Sequence, residues 1–227
     1  MPSTASRPTR NPDPESRHTV TDLVALDRTA VQTSLHVLSF ARDAADWERP
    51  TPCAGWTLRR LVTHMTAQHH GFAAAARGAG DDRTFWLELD LGSDPSARYE
   101  ESVRHVVAAF AEYGAGYEQD GRERQFVLPE LGGSFSGRTA VGFHLLDYVV
   151  HAWDVAVTLD VPVAFPDEVV AAALAVARRV PATPELRGPG AAFAPALPAP
   201  PDAGALAQVL THLGRSPVPF ASDISRG

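Results

Sequence analysis

The chain has 227 residues, of which 44% are hydrophobic and 21% charged, as is usual for a globular protein long enough to bury one sizeable core. Its 20 basic and 27 acidic residues give a formal net charge of −7, which argues against nucleic acid or an anionic membrane as the main partner. The chain has no lysine and one cysteine, which excludes Schiff-base and P-loop lysine mechanisms, an internal disulfide and a multi-cysteine zinc site.

Composition divides the chain into three parts. Residues 1–18 are rich in Pro, Ser and Arg and nearly free of large apolar groups, which predicts a disordered tail. They lack the apolar core of a signal peptide, and no apolar run approaches the roughly 20 residues of a membrane span. We therefore expect a cytoplasmic protein with no membrane partner. Residues 19–181 are predicted to form a helical bundle, and residues 182–227 a Pro- and Ala-rich segment with one short helix.

The first half of the bundle contains two predicted helices. Apolar residues recur at three- and four-residue steps over residues 19–47, which indicates one long amphipathic helix. The sequence RPTPCAGW follows, and its two prolines and glycine end that helix. Thr57 is the predicted N-cap of a second helix over residues 58–76. Residues 81–95 fit either a short extended piece or a loop.

The second half continues the helical pattern. A third helix is predicted over residues 95–114, followed by a glycine-rich loop with a short strand at residues 125–128. A fourth helix over residues 137–159 is the most apolar in the chain, and a fifth is predicted over residues 166–180. A short helical stretch follows at residues 206–213. The sequence therefore predicts an all-α fold, a bundle of four long helices with an accessory C-terminal helix.

The fourth helix carries a narrow stripe of ionisable residues. His144, Asp147, His151 and Asp154 fall within an arc of roughly 80° on a helix that is otherwise apolar all round. Such a helix should lie at the centre of the bundle, where carboxylates and imidazoles need partners. Asp147 and His151 are four residues apart, so their side chains can reach one point. They are suitable metal ligands, and they are equally compatible with a hydrogen-bonded structural pair.

A third donor comes from the second helix. His64 lies on the flank of the apolar stripe of that helix and can point inward when the helices pack. Together with Asp147 and His151 it makes a set of two imidazoles and one carboxylate. Three protein ligands leave at least one position open for water or substrate, which suits a catalytic metal. His69 and His70 lie on other faces, and we expect one to be partly packed and the other solvated.

The remaining candidates have weaker signals. His144 and Asp154 each suit a fourth metal ligand or, preferably, a hydrogen-bond partner of a ligand. Cys53 lies in a loop before a helix N-terminus, where a thiolate would be stabilised. A cysteine beside Trp56 is also expected simply to pack.

These residues lie in two motifs with a family resemblance. The runs RPTPCAGWTLRRLVTHM and LLDYVVHAWDVAV resemble the DinB-like superfamily of helical bundles. The resemblance is closest to the metal-binding domain of mycothiol-dependent maleylpyruvate isomerases and to related actinobacterial metal-binding proteins. It extends over residues 20–217, since the C-terminal segment is also similar.

The resemblance implies a bundle that binds a divalent metal, typically zinc, through three side chains that correspond to His64, Asp147 and His151. The isomerase resembles this pattern with Glu in place of Asp147, so the shorter side chain here changes the metal distance or denticity. The isomerase also has a separate C-terminal domain, for which the C-terminal segment here is too short. The resemblance therefore supports a metal site in this chain more strongly than it supports activity on maleylpyruvate.

Three functional hypotheses follow. The first is a metal-dependent transferase or isomerase that uses a small-molecule thiol such as mycothiol and an electrophilic substrate, with Asp154 or His144 orienting a ligand or moving a proton. The second is a non-catalytic metal- or ligand-binding protein. The third is a metal-free bundle in which the stripe is a hydrogen-bonded network. Zinc is the expected metal, nickel is the alternative, and a homodimer is compatible with the sequence.

Overall fold

The computed structural model describes residues 19–53, 55–183, 187 and 193–217, so the predicted tail of residues 1–18 lies outside the described residues. The elements are α1 (Val20–Leu38), α2 (Ala44–Trp47), α3 (Leu58–Ala76), α4 (Pro95–Asp120), β1 (Gln125–Leu128), β2 (Gly133–Ser136), α5 (Gly137–Leu159), α6 (Asp167–Ala177) and α7 (Ala205–His212). Single turns of 3-10 helix occur at Arg83–Trp86 and Pro129–Leu131. The predicted all-α fold is confirmed, with one small hairpin added to it.

The four long helices α1, α3, α4 and α5 form the bundle. α1 packs along α4 and α5, and α3 packs along the same two helices from the other side. α5 is buried over nearly its whole circumference, because its residues are apolar all round. The ionisable stripe of this helix therefore faces protein and not solvent over most of its length.

Side-chain caps fix where the long helices begin. Thr19 and Asp22 form a capping box at the start of α1. Thr57 caps α3, Asp94 caps α4 and Ser136 caps α5, each by accepting a hydrogen bond from a backbone N–H of the first turn. The predicted limits of α3 and α5, and the predicted cap Thr57, are confirmed.

The first and third predicted helices have different ends in the structure. The first is divided, because α1 ends at Leu38 and Asp43 starts the separate helix α2 with its own capping box to Asp46. The third continues to Asp120, beyond the predicted end at Gly114. Gly114 is buried inside the bundle, so tertiary packing stabilises the helix through a residue of low helix propensity. Gly121 caps the end of α4, and its φ of 65° favours glycine.

The hairpin between α4 and α5 was only half predicted. β1 matches the expected strand, and β2 pairs with it in antiparallel register from Gln125↔Ser136 to Leu128↔Gly133. The amide of Gln68 on α3 donates a hydrogen bond to Glu130 in the connection between the strands. This bond attaches the hairpin to the helix that carries His64.

The C-terminal helices lie against the bundle. α6 is shorter than the predicted helix over residues 166–180; it packs against α5 and α1, and α7 packs against α6. After α7 the backbone N–H of Arg215 donates to the carbonyl of Leu210, which turns the chain back on itself. The division of the chain at residue 181 stays a prediction. Among the described residues, no helix is long and apolar enough to cross a membrane.

Candidate metal centre

The three residues predicted as metal ligands come together in the structure. His64 extends from α3, and Asp147 and His151 extend from successive turns of α5. Each offers one ligand atom, and these atoms all lie within 4.8 Å of one another. His151 Nε2 and Asp147 Oδ1 are 3.3 Å apart, close to the roughly 3.4 Å between neighbouring N and O donors around a tetrahedral zinc ion.

A separate carboxylate holds the second ring nitrogen of each histidine. His151 Nδ1 donates to Asp154 Oδ2 over 2.9 Å, and His64 Nδ1 donates to Glu88 Oε1 over 3.1 Å. Metal-binding histidines are commonly fixed in this way, because the bond to Nδ1 sets the tautomer and leaves the Nε2 lone pair for the metal. The arrangement is therefore suited to binding a cation through both Nε2 atoms.

Asp154 is the centre of a buried network behind His151. It is fully buried, and besides the His151 ring it accepts a hydrogen bond from the Cys53 thiol over 3.3 Å. Arg215 donates to it through Nε and Nη2, over 3.0 Å to Oδ1 and 2.9 Å to Oδ2. Asp154 is thus a hydrogen-bond partner of His151, and the choice between its two predicted roles stays a prediction.

The charges of the site are strongly coupled. Burial acts to raise the pKa of Asp147, but attraction to His151 and the hydrogen bond with it lower that pKa below its ordinary value. Burial acts to lower the pKa of His151, but Asp147 and the bonds to Asp154 and Cys53 raise it well above its ordinary value. Burial acts to raise the pKa of Asp154, but the charges of Arg215 and His151 and the hydrogen bonds with them lower it below its ordinary value. Both carboxylates are therefore ionised at neutral pH.

The loop between α2 and α3 brings Cys53 and Trp56 to the site. Thr51 N–H donates to the Trp56 carbonyl and Trp56 N–H to the Cys53 carbonyl, each over 2.9 Å, which closes a tight turn. Gly55 within this turn has a φ of 81°, which explains the glycine. The Trp56 ring lies 5.1 Å from the ring of His64 and forms a wall beside it.

Glu88 and Arg215 are site residues that the sequence did not reveal. Glu88 lies in the segment after α3 that had no clear periodicity, and it also pairs with Arg60. Its position depends on Trp86, whose ring packs directly against Gly71 of α3. Arg215 reaches the site only because the chain turns back after α7. Both residues reach the site through tertiary structure, so no local spacing in the sequence predicts their positions.

His144 lies apart from the candidate metal centre. Its Nδ1 donates to Asp27 Oδ1 over 2.7 Å in the core, and both side chains are buried. Beside it, His69 Nδ1 donates to Ser102 Oγ over 2.8 Å. The expectation that one of His69 and His70 is solvated was wrong in that neither is fully exposed: His69 is fully buried and His70 is half-buried.

The fold and the site define a class, a helical bundle with a candidate metal centre between two of its helices. Residues 28–156 match the family model of the mycothiol maleylpyruvate isomerase N-terminal domain, and the chain belongs to that family. The family resemblance inferred from the two motifs is thereby confirmed.

The chain is also similar in sequence to two mycobacterial proteins. Two uncharacterized proteins of Mycobacterium tuberculosis, from strains CDC 1551 and H37Rv, are each 29% identical over 168 residues, which cover 74% of this chain and 84% of theirs.

Solved structures share the fold. The crystal structure of the mycothiol-dependent maleylpyruvate isomerase matches with a TM-score of 0.53 and 15% identity, and that of a mutant of this isomerase with 0.58 and 14%. Each match covers 79% of this chain and 75% of the other. At such identities the likeness shows the fold alone.

Proposed function

We propose that the protein binds one divalent metal ion through His64, Asp147 and His151 and acts on a small-molecule thiol of the mycothiol type, which it transfers to an electrophilic substrate. The observation that carries the proposal is the convergence of these three donors, with each imidazole anchored by its own carboxylate. A plain structural pair of Asp147 and His151 would not need the second anchored histidine.

The donor set fits zinc best. Two imidazoles and one carboxylate are common ligands of catalytic zinc and leave a coordination position open; nickel is the alternative because imidazole also suits it. A bound dication would supply Lewis acidity and remove the proton from a coordinated thiol. The side chains of His64 and Asp147 are 21% and 29% exposed, so a small ligand reaches this point from the surface between α3 and α5.

The protein groups around the centre have distinct tasks. His64, Asp147 and His151 hold the ion, while Asp154 and Glu88 keep the two imidazoles in the tautomer that presents Nε2. The charges of those two carboxylates are balanced by Arg215 and Arg60. Asp147 is therefore the carboxylate left to face the ion, and the loaded centre keeps a positive charge that favours a thiolate ligand.

A non-catalytic metal-binding role is the second candidate. The structural match spans 75% of the isomerase chain, so part of that enzyme has no counterpart in the match. Activity on maleylpyruvate therefore does not transfer with the fold. In this second case, removing the metal lowers the melting temperature but abolishes no turnover.

Metal content tests the site. We expect about one zinc or nickel ion per chain in the purified wild type by elemental analysis and a loss of it in His151→Ala. His70→Ala is the matched control, since His70 lies on α3 but faces His105 and not the three ligands. Wild-type protein that holds no metal, even after incubation with zinc, would refute the proposal.

Turnover separates the two candidates. We expect the zinc-loaded wild type to accelerate addition of a small-molecule thiol to at least one of a panel of electrophiles, and the chelated protein and His151→Ala to lose that rate. If the protein binds one metal ion per chain but does not accelerate thiol addition to any electrophile, the non-catalytic metal-binding role is the one supported. A cytoplasmic location is part of this proposal, because the half-buried free Cys53 and a reduced thiol both suit a reducing compartment.

A further inference from the structure

A second group of metal-ligating side chains lies on the other side of His151. Cys53, Asp154 and the same histidine offer one ligand atom each, and these atoms all lie within 4.8 Å of one another. Asp154 is fully buried, His151 is buried and Cys53 is half-buried, so the group is enclosed by protein. His151 takes part in both groups, with Nε2 beside Asp147 and Nδ1 beside Asp154.

The distances approach those around a bound cation. Cys53 Sγ and Asp154 Oδ2 are 3.3 Å apart, and His151 Nδ1 and Asp154 Oδ2 are 2.9 Å apart. Neighbouring donors around tetrahedral zinc are about 3.6 Å apart for S and O and about 3.4 Å for N and O. For these two pairs, shifts of about half an ångström or less would reach the separations around an ion. A set of thiol, imidazole and carboxylate favours a thiophilic divalent ion.

Arg215 supplies the positive charge at this point in the absence of an ion. Its Nη2 donates to Asp154 Oδ2 over 2.9 Å and to Cys53 Sγ over 3.4 Å, so the guanidinium touches two of the three donors. Arg215 lies three residues beyond the end of α7, in a turn and not within a helix. A dication and the guanidinium therefore compete for the same two side chains.

We propose that Cys53, Asp154 and His151 Nδ1 form a second cation site, for thiophilic divalent ions such as Zn²⁺ or Cd²⁺, which Arg215 closes. Binding forms bonds from the ion to sulfur, nitrogen and oxygen and releases two protons to solvent, one from the Cys53 thiol and one from His151 Nδ1. The released Nδ1 proton is the one that orients His151 towards Asp147. With both sites filled, the His151 ring would be a bridging imidazolate, and repulsion between the two ions would oppose binding of the second.

Cadmium titration of the reduced protein tests this site through its sulfur ligand. We expect the wild type to bind two equivalents, one of them with the ultraviolet charge-transfer band of a cadmium thiolate. Cys53→Ser should lose the band and one equivalent while keeping the other. His64→Ala is the matched variant for the first site and should keep the band. If the centre of His64, Asp147 and His151 binds no metal, only the cadmium equivalent without the band will be missing. The titration therefore tests the two proposed sites separately.

Arg215→Gln tests the competition. Removing the guanidinium should lower the dissociation constant of the cadmium ion bound to the Cys53 thiolate about tenfold, because a unit positive charge no longer opposes the ion. Unchanged or weaker binding in a folded variant, checked by circular dichroism, would overturn the competition. Absence of the thiolate band from wild-type protein with a titratable Cys53 would overturn the site itself, whether or not the variant folds.

Discussion

At the scale of single residues, the candidate centre consists of two anchored histidines and one carboxylate. The four-residue spacing of Asp147 and His151 in an otherwise apolar helix was sufficient to predict that they converge, and the structure brings them together with His64. Glu88 and Arg215 could not be predicted. The first depends on how Trp86 packs on α3, and the second on a turn after α7.

Replacement of Asp154 tests the anchoring of His151. Asp154→Asn keeps the size of the side chain but removes the charge that accepts from His151 Nδ1 and pairs with Arg215. We expect zinc affinity, measured by isothermal titration, to fall about 10- to 100-fold. Asp160→Asn is a matched control, because Asp160 is exposed at the end of α5 and asparagine tolerates its φ of 58°. Equal affinities for the two variants would contradict the anchoring role.

The buried His69 predicts a pH dependence of stability. Burial, with repulsion from His144 and His70, lowers the pKa of His69 well below 6.5. The unfolded chain therefore binds a proton that the folded chain does not, so this residue contributes stability above pH 6.5 that is lost as the pH falls below it. His69→Phe should flatten the dependence of the urea midpoint on pH in that range. An unchanged slope in the variant would refute the assignment.

At the scale of elements, the Thr57 cap predicted the start of α3, and the apolar character of residues 137–159 predicted α5. Thr57 and Ser136 start α3 and α5 where expected, since each side chain satisfies a free backbone N–H. The length of α4 was misjudged because Gly114 and Gly116 are poor helix formers by themselves, and packing overrides their propensity. The second hairpin strand is short and rich in glycine and serine, with no alternation to reveal it.

Two glycines in different helices should respond in opposite ways to alanine. A Cβ at Gly71 would overlap the indole ring of Trp86, so Gly71→Ala should lower the free energy of unfolding by about 1–3 kcal/mol and displace the segment that carries Glu88. A Cβ at Gly114 would make an ordinary contact of 3.7 Å with Val24. Gly114→Ala should therefore be neutral or stabilise by about 0.5–1 kcal/mol. Urea unfolding measures both, and equal effects would contradict this packing.

At the scale of the whole molecule, the candidate centre joins two of the four bundle helices. The ligands lie on α3 and α5, and the anchors add the segment after α3 and the C-terminal turn. A bound ion would therefore hold together parts of the chain that are far apart in sequence. The helical periodicity of the apolar residues was sufficient to predict the bundle. The position of Arg215 in the C-terminal turn could be seen only in the tertiary structure.

Metal binding should raise the stability of the folded chain. An ion that binds the folded but not the unfolded state stabilises by about 2.7 kcal/mol at 100 times its dissociation constant. The melting temperature should rise with added zinc and fall again with a chelator, as followed by circular dichroism. His64→Ala combined with Cys53→Ser, which removes a ligand from each proposed site, should melt at the same temperature with and without zinc. A zinc-dependent rise of equal size in that variant would show that the ion acts elsewhere.

The measurement that tests the central claim most directly is anomalous diffraction at the zinc edge from crystals of the zinc-loaded protein. We predict an anomalous peak about 2.0–2.2 Å from His64 Nε2, His151 Nε2 and an Asp147 oxygen. Absence of a peak at these three residues, with His151 still hydrogen-bonded to Asp147, would contradict the account.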